Sequence, residues 1–311
     1  MAEKILITGG TGLIGRNLSE RLIERGSEVL AIGSEYDLRN VETSDKVVES
    51  FRPSIVIHLA ARVGGIHANN SYKSDFYSDN VLINTNIVNS CLKSSFVDYI
   101  FAMGTGCAYP KRLEGKILHE GDFLDGIPEI TNDAYAYAKR GLLVHLKALE
   151  ERDMMNYAYC IPANIYGSYD NFHPTHSHVV PGLIRRFVDA AQKNMDEISI
   201  WGDGSAMRDF LYIEDCIDAM VSLIDMRYSG PINIATGIQT TIKDLSYMLK
   251  ELTSFEGKIK FDTSFPSGQS RRDFSLEKIK SISWKPRHSL KEGLEKTILW
   301  YKENQKNVRE R

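Results

Sequence analysis

A tyrosine and a lysine four positions apart, Tyr135 and Lys139, are the side chains of this sequence best placed for acid–base chemistry. They lie in an Ala-rich segment, residues 132–139, that favours a helix, so both should share one helical face. A tyrosine with a pKa of about 10 is a poor proton donor at neutral pH, and an adjacent ammonium lowers that pKa by stabilising the phenolate. The pair is therefore a candidate acid–base unit. On this motif alone, an ordinary amphipathic surface helix is the simpler interpretation.

A glycine-rich turn near the N-terminus makes the catalytic interpretation the stronger one. Residues 4–8 have the pattern of a buried strand, and Gly9-Gly-Thr-Gly-Leu-Ile-Gly15 then opens an amphipathic helix that runs to about residue 25. A turn of this kind lets backbone N–H groups approach a pyrophosphate at the helix N-terminus. Because the motif lies between a strand and a helix, we predict a dinucleotide-binding unit rather than a plain glycine-rich loop.

The end of the second predicted strand, residues 28–32, bears on which dinucleotide binds. A carboxylate at that point would hold the ribose 2′-hydroxyl of NAD, and no Asp or Glu stands there. This absence, with Ser34 and Arg16 nearby, favours NADP, although Glu35 follows closely.

The composition is that of an ordinary globular protein with one large domain or two closely packed ones. The 311 residues are 42% hydrophobic and 25% charged, and the formal net charge is -3. That charge gives no electrostatic reason to expect nucleic acid or an anionic membrane as a partner. The apolar runs are of strand length, and the N-terminus lacks a signal-peptide pattern. The cysteines are widely spaced and form no Cys-x-x-Cys pair, which favours a reducing, cytoplasmic location and argues against a zinc site.

Strands and helices alternate over the first half of the chain, which predicts a parallel sheet with right-handed crossovers. The predicted strands are residues 4–8, 28–32, 54–59, 99–103 and 157–161, and the longest helices are 75–95 and the one that carries Tyr135 to about residue 150. Beyond Gly167 the pattern loosens. There we predict helices at 180–193, 214–226 and 241–253, and short strands at 198–201, 209–212 and 231–234. Ser289-Leu-Lys-Glu292 matches a capping box that starts the last helix.

Longer motifs make the sequence resemble the extended short-chain dehydrogenase/reductase family, and within it the GDP-L-fucose synthases. The segments that carry this resemblance are His58-Leu-Ala-Ala-Arg-Val-Gly-Gly-Ile66, Gly104-x-x-Cys-x-Tyr-Pro110, Asp170-Asn-Phe-His-Pro174, Ser177-His-Val179 and Leu183-Ile-Arg-Arg-Phe187. The resemblance implies an α/β fold with a Rossmann-type doubly wound parallel sheet and a smaller, mixed α/β substrate domain. It assigns residues 1–166 and 208–236 to the NADP-binding domain, and 167–207 and 237–311 to the GDP-sugar-binding domain.

The resemblance also implies an activity. This is the NADPH-dependent 3,5-epimerisation and 4-reduction of GDP-4-keto-6-deoxy-D-mannose to GDP-L-fucose by a homodimer. Thr105 stands where the family has a serine and would bind the substrate ketone, while Tyr135 would protonate the C4 oxygen. Lys139 would hold the nicotinamide ribose and tune the tyrosine. Cys107 would be the base of the epimerisation and His178 the matching acid. Protons on C3 and C5 flank a ketone, so a stabilised enolate makes this chemistry coherent.

The family's ligand-binding positions carry over as two sets. The expected cofactor contacts are Gly9, Gly10, Thr11, Gly12, Leu13, Ile14, Gly15, Asp37, Leu38, Leu59, Ala60, Ala61, Met103, Gly104, Lys139, Pro162, Ala163, Asn164, Ile165 and His178. The expected GDP-sugar contacts are Asn164, Arg186, Trp201, Arg208 and Arg272. Guanidinium groups suit a diphosphate because they form bidentate hydrogen bonds with it.

Several positions admit simpler interpretations. Cys107 could be a small buried hydrophobic residue, as free cysteines usually are, and we interpret His58 as an ordinary strand residue with satisfied hydrogen bonds. The segment 173–178 contains histidines but no acidic residue or cysteine, so we expect no metal site there. We expect Arg185 on a solvated helix face.

Two departures from the family leave the exact sugar open. Gly106 stands where the family usually has a second serine, and residues 265–274 differ from the usual run near the diphosphate. A related GDP-linked 4-keto-deoxysugar reductase, of the colitose or 6-deoxyheptose type, would show the same catalytic residues with partial or no epimerase activity. A 4,6-dehydratase would need an acidic residue next to Thr105. A dinucleotide-sensing protein without turnover is the rival from another class, and it would not need the Thr105, Tyr135 and Lys139 set.

Overall fold

The computed structural model describes residues 2–264 and 269–308. Part of the segment expected near the diphosphate, residues 265–268, therefore lies outside the described residues.

The centre of the molecule is a six-stranded sheet whose strands all run parallel. In chain order its strands are β1 Lys4–Thr8, β2 Glu28–Ile32, β3 Ile55–His58, β4 Tyr99–Met103, β6 Asn156–Pro162 and β10 Gly230–Ile234. They lie in the order β10-β6-β4-β3-β1-β2 across the sheet. Strands β3 and β4 are buried at every residue, because helices cover both faces of the sheet. The predicted doubly wound parallel sheet is confirmed.

Ten α-helices lie among the described residues. They are α1 Leu13–Glu24, α2 Val41–Phe51, α3 Ile66–Ser71, α4 Lys73–Lys93, α5 Asp133–Glu150, α6 Val179–Gln192, α7 Ile213–Asp225, α8 Ile242–Thr253, α9 Glu277–Ser281 and α10 Leu290–Asn304. Helix α10 begins with the predicted capping box, in which Ser289 and Glu292 bond each other's backbone N–H groups. Within the described ranges no helix is both long and apolar enough to cross a membrane.

Three smaller sheets lie outside the central one. Strands β7 Asn164–Tyr166, β9 Met207–Tyr212 and β11 Gln239–Thr241 form the first, and β8 Glu197–Trp201 pairs in parallel with β12 Lys258–Asp262. The third joins β5 Ile117–Leu118 to β13 Asp273–Phe274. This last pair ties the C-terminal part of the chain to the loop that follows β4. The domain boundaries given above stay a prediction.

Candidate active site

The glycine-rich turn between β1 and α1 is packed too tightly for side chains at Gly9, Gly10 and Gly15. Gly9 has a φ of 72°, and a Cβ there would lie 2.8 Å from the backbone nitrogen of Ala60. A Cβ on Gly15 would lie 2.4 Å from the carbonyl oxygen of Gly9. Helix α1 starts directly after Gly12, which has no side chain to cap the first N–H groups. A helix N-terminus of this kind suits a pyrophosphate, so the residues present fit a dinucleotide.

The other expected cofactor contacts lie at the carboxyl ends of the parallel strands, where doubly wound sheets bind ligands. Asp37 and Leu38 follow β2, and residues 59–61 follow β3. Met103 ends β4 and Gly104 follows it, while residues 162–165 span the end of β6 and most of β7. The chain packs closely at this edge. A Cβ on Gly104, for example, would lie 2.4 Å from the ring of Tyr159.

Tyr135 and Lys139 lie near the start of α5, as the sequence predicted. The Lys139 side chain is buried, and its Nζ donates a hydrogen bond to the carbonyl oxygen of Met103 at 2.8 Å. Its Nζ also lies 5.9 Å from the centre of the Tyr135 ring. Burial lowers the pKa of Lys139 to about 8. The helix therefore places the pair at the end of β4, beside the loop that carries Thr105.

The expected effect of the lysine on the tyrosine is wrong in this geometry. Burial, and then the nearby Cys107, raise the pKa of Tyr135 above its usual value. Lys139 is not among the groups that shift the Tyr135 pKa, and its Nζ donates instead to the Met103 carbonyl. Tyr135 is accordingly protonated at neutral pH, which is the state a proton donor needs.

Cys107 lies on a 3₁₀ turn, Gly106–Ala108, directly after β4. Its Sγ accepts a hydrogen bond from Nη1 of Arg272 at 3.4 Å. Burial alone would raise the pKa of this thiol, but Arg272, Thr105 and Arg208 together outweigh burial and lower it. The other cysteines, Cys91, Cys160 and Cys216, are buried, and burial raises the pKa of each. Cys107 is thus the described cysteine suited to be a base.

Two of the arginines expected to bind substrate converge on this thiol. Burial, and then the neighbouring Arg272, lower the pKa of Arg208 to about 10, while Cys107 and Glu114 act in the opposite direction. The two guanidinium groups therefore share one site with the thiol. Strand β9, which carries Arg208, is held by Asp209, whose carboxylate accepts hydrogen bonds from Thr236 and the Gly237 backbone.

A buried asparagine that the sequence analysis did not single out holds the Cys107 loop in place. Asn233, on β10, accepts a hydrogen bond from the Tyr109 hydroxyl at 2.7 Å. Its side-chain amide donates to the carbonyl oxygens of Leu118 and Ser275. Its backbone N–H donates to the buried Glu120. One side chain thereby joins the central sheet, the loop after β4 and the C-terminal segment. A polar residue in a short strand carries no local signal of this role.

His58 is a satisfied core residue, as interpreted from the sequence. Its Nδ1 lies 2.8 Å from the Thr8 hydroxyl and its Nε2 lies 3.0 Å from Oδ1 of Asn84. The Asn84 amide in turn donates to the carbonyl oxygen of Ala138, on α5. Burial, followed by the charge of Lys139, lowers the pKa of His58 to about 3. The imidazole is therefore neutral and links β1 and β3 to α4.

The remaining expected contacts are more dispersed. His178 is exposed and stands immediately before α6, and its role as an acid stays a prediction. Arg186, on α6, donates to the carbonyl oxygen of Ser199, and the exposed Trp201 ends the same strand, β8. Asn164 donates to the Asp209 carbonyl at 3.1 Å.

The expectation for Arg185 is wrong. Its side chain is only 24% exposed and donates to the carbonyl oxygen of Phe172 at 2.9 Å, so it serves packing rather than a solvated surface. Another histidine of the 173–178 segment has a local structural role. Nδ1 of His173 lies 3.1 Å from the backbone nitrogen of His176, whose ring stacks on that of His173.

Comparisons with known proteins agree with this geometry. Residues 5–235 match the NAD dependent epimerase/dehydratase family. The chain is 40% identical over 311 residues to Putative GDP-L-fucose synthase 2 of Arabidopsis thaliana, covering 97% of this chain and 93% of that protein. It is 30% identical over 308 residues to GDP-L-colitose synthase of Yersinia pseudotuberculosis, covering 98% and 99%. The fold is similar to that of a GDP-L-fucose synthetase from Naegleria fowleri bound to NADP. That pair has a TM-score of 0.89 and 30% identity, covering 99% of this chain and 95% of the other.

Proposed function

Because this chain belongs to the NAD dependent epimerase/dehydratase family, we propose that it converts GDP-4-keto-6-deoxy-D-mannose to GDP-L-fucose by 3,5-epimerisation and NADPH-dependent 4-reduction. The observation that carries this proposal is the position of Cys107. A thiol with a lowered pKa lies beside Tyr135, so a base and a proton donor of different chemistry share one site. A plain reductase needs the tyrosine but not a basic thiol.

The epimerisation uses the thiolate of Cys107 as the base. The thiolate removes the proton from C3 or C5 next to the C4 ketone, which leaves an enolate whose oxygen is stabilised by the Thr105 and Tyr135 hydroxyls. A proton returned from the opposite face inverts that carbon. His178 is the side chain to which we assign this return, by its resemblance to the family's acid.

The reduction uses the same ketone once the ring has been epimerised. When bound, NADPH supplies the hydride that adds to C4. Tyr135 gives its proton to the C4 oxygen, so the product carries a hydroxyl there. The Lys139 ammonium lies beneath the tyrosine ring and is proposed to bind the nicotinamide ribose, as the resemblance implies. We assign the glycine-rich turn at 9–15 to the pyrophosphate.

The arginines suit a GDP-linked substrate. Arg208 and Arg272 place two positive charges next to the reacting thiol, and Arg186 is bonded to β8, the strand that ends at Trp201. A diphosphate carries the complementary charge, and an exposed indole provides a surface on which a base can stack.

We further propose a homodimer in the cytoplasm. Helices α4 and α5 pack on each other, and large apolar side chains remain exposed on both, including Tyr77 and Leu82 on α4 and Tyr137 and Val144 on α5. A second copy could cover this surface in an isologous contact. The four cysteines are free, and a thiolate base persists in a reducing compartment.

A GDP-linked 4-keto-deoxysugar reductase of the colitose type is the second candidate. The surroundings of Gly106 support this second candidate. A Cβ on Gly106 would lie 2.6 Å from the ring of Phe274, so a serine at this position would require that ring to shift. With Gly106 in place of the second serine usual in the family, the site lacks one hydroxyl beside the ketone.

Deuterium exchange separates the two functions. With NADP⁺ in place of NADPH the ketone cannot be reduced, and incubation of enzyme and ketosugar in D₂O should place deuterium at C3 and C5. Cys107→Ser should suppress this exchange, because a serine hydroxyl is scarcely ionised at neutral pH. The same variant should still reduce the unepimerised ketone when NADPH is supplied. Reduction by the wild-type enzyme without exchange at either carbon would refute the fucose assignment and leave the simple 4-reductase.

A further inference from the structure

The carboxylate of Glu35 lies at the end of β2, although the residue stands three positions beyond the strand. A turn closes over residues 33–36, in which the Tyr36 N–H donates to the Gly33 carbonyl at 3.2 Å. The turn brings Glu35 back, so that its Oε1 accepts the Gly33 N–H at 2.7 Å. The premise that no carboxylate closes the second strand is therefore wrong. A local turn, which the strand pattern does not reveal, puts one there.

Gly33 has no side chain, and the space that a side chain would occupy there shows where the Glu35 carboxylate lies. A Cβ built on Gly33 would lie 2.6 Å from Oε2 of Glu35 and 2.7 Å from the hydroxyl oxygen of Thr11. The Glu35 carboxylate thus lies where a side chain of residue 33 would be, facing the glycine-rich turn. In dinucleotide-binding folds, an acidic side chain at this point accepts a hydrogen bond from the 2′-hydroxyl of the adenosine ribose. Its usual place is about 20 residues after the glycine-rich turn, and Glu35 follows Gly15 by 35 − 15 = 20 positions.

The charges around this position do not favour an additional phosphate. Arg39, the basic residue of the segment after β2, is bonded to both oxygens of Asp37 and to Asp79. Arg62, after β3, is bonded to Asp79 and lies 3.2 Å from Asp75. Arg16 lies over the ring of Tyr169. Segment 33–40 holds two carboxylates against one guanidinium, so its formal charge is 1 − 2 = −1.

We propose that Glu35 is a specificity-determining residue for the cofactor: it binds the adenosine 2′-hydroxyl, so that the enzyme accepts NADH as well as NADPH. The inference rests on the proposed function, since it concerns the cofactor of that same site. Glu35 stabilises the unphosphorylated ribose by a charge-assisted hydrogen bond and repels the 2′-phosphate of NADPH. The ratio of the two affinities is then set by this one exposed carboxylate.

Binding of the adenosine half alone tests this proposal without turnover. ADP-ribose and 2′-phospho-ADP-ribose differ only in the 2′-phosphate, and calorimetric titration gives the Kd of each. Wild-type protein should bind the two within about tenfold of each other. Glu35→Gln should weaken ADP-ribose and tighten the phosphorylated ligand, shifting the Kd ratio about tenfold or more towards the latter. Glu42→Gln is the matched control, because it removes an exposed carboxylate on α2 and should leave the ratio within about twofold.

Each outcome decides the matter. The role of Glu35 is overturned if Glu35→Gln leaves the Kd ratio unchanged. It is also overturned if the wild-type protein prefers the phosphorylated ligand by more than about a hundredfold. If that happens while NADPH still supports ketone reduction, the proposed function stands and only this inference fails. If the wild-type protein binds neither ADP-ribose nor 2′-phospho-ADP-ribose, the dinucleotide site itself is overturned. Reduction rates with NADH and NADPH should follow the measured Kd ratio in both proteins.

Discussion

Replacing Arg272 by glutamine should raise the pKa of Cys107 and leave the fold intact. The guanidinium donates to Sγ at 3.4 Å, and Arg272 is the strongest influence that holds the thiol pKa down against burial. Two unit charges at that distance attract by roughly 1 kcal/mol in water and by roughly 5 kcal/mol near a protein surface. Since one pKa unit is about 1.4 kcal/mol, these limits correspond to about 1 to 4 units. Arg208 and Thr105 remain, so we expect an increase of about 1 to 2 units.

Alkylation by iodoacetamide measures this pKa directly, because the thiolate is the reacting form. The buried cysteines should react slowly, and mass spectrometry of the labelled peptide confirms the site, with Cys107→Ser as the blank. The midpoint of the rate-against-pH curve should move to higher pH in Arg272→Gln. The acid limb of C3 and C5 exchange should move in the same direction, since a higher thiol pKa means less thiolate at a given pH.

The neighbouring arginine supplies a matched control. Arg271 is exposed and bonded to Asp273, so Arg271→Gln removes a positive charge one residue away without touching the thiol. Its alkylation midpoint should stay close to that of the wild type. If Arg272→Gln also leaves the midpoint unchanged, the guanidinium does not set the thiol pKa, and the base of the epimerisation must be sought elsewhere.

Three further changes test the rest of the site. Tyr135→Phe should lower the rate of ketone reduction by about 10²–10⁴-fold while the Kd for NADPH stays nearly constant, since only the proton donor is lost; a variant that keeps most of its rate would exclude this tyrosine. Gly15→Ala should abolish dinucleotide binding, because its Cβ would meet the Gly9 carbonyl, whereas Gly141→Ala, with open space around it, should bind normally; calorimetry separates them. The free energy of unfolding of the wild type should fall between pH 7.5 and 5, and His58→Gln should make that fall smaller by about 2 kcal/mol. The unfolded state takes up a proton near the ordinary histidine pKa of about 6.5, the folded state only near 3, so stability falls as pH falls. Urea unfolding at both pH values would show equal losses if His58 were not responsible.

The parts of the fold that follow local patterns could be predicted from the sequence. The strand, the glycine-rich turn and α1 are adjacent in the chain, and their apolar spacing differs clearly between strand and helix. The capping box before α10 was also local, because Ser289 and Glu292 bond within one turn. Tyr135 and Lys139 were placed correctly on α5 for the same reason, four residues apart on one helix.

What the sequence could not reveal depends on contacts between distant segments. The thiol pKa is set by a guanidinium 165 residues further along the chain. The direction of the Lys139 ammonium depends on the Met103 carbonyl, 36 residues away. The expected lowering of the Tyr135 pKa was wrong because the expectation rested on the spacing of Tyr135 and Lys139 within the helix. It did not include burial or the neighbouring strand and loop. Glu35 is close in sequence to β2, but the position of its carboxylate at the end of that strand depends on the geometry of the turn over residues 33–36.

The pairing of β5 with β13 has a consequence for how the protein is made. A chain emerging from the ribosome can complete the six-stranded sheet once β10 is out, because that strand is the last in chain order. Arg272 is translated later and is held beside Cys107 only after β13 has paired with β5. Until then only Thr105 and Arg208 oppose the effect of burial on the Cys107 pKa, so less of the cysteine is in the thiolate form. The nascent chain can therefore assemble its central sheet before the Cys107 thiolate is fully stabilised, because that stabilisation depends on a segment translated after the sheet.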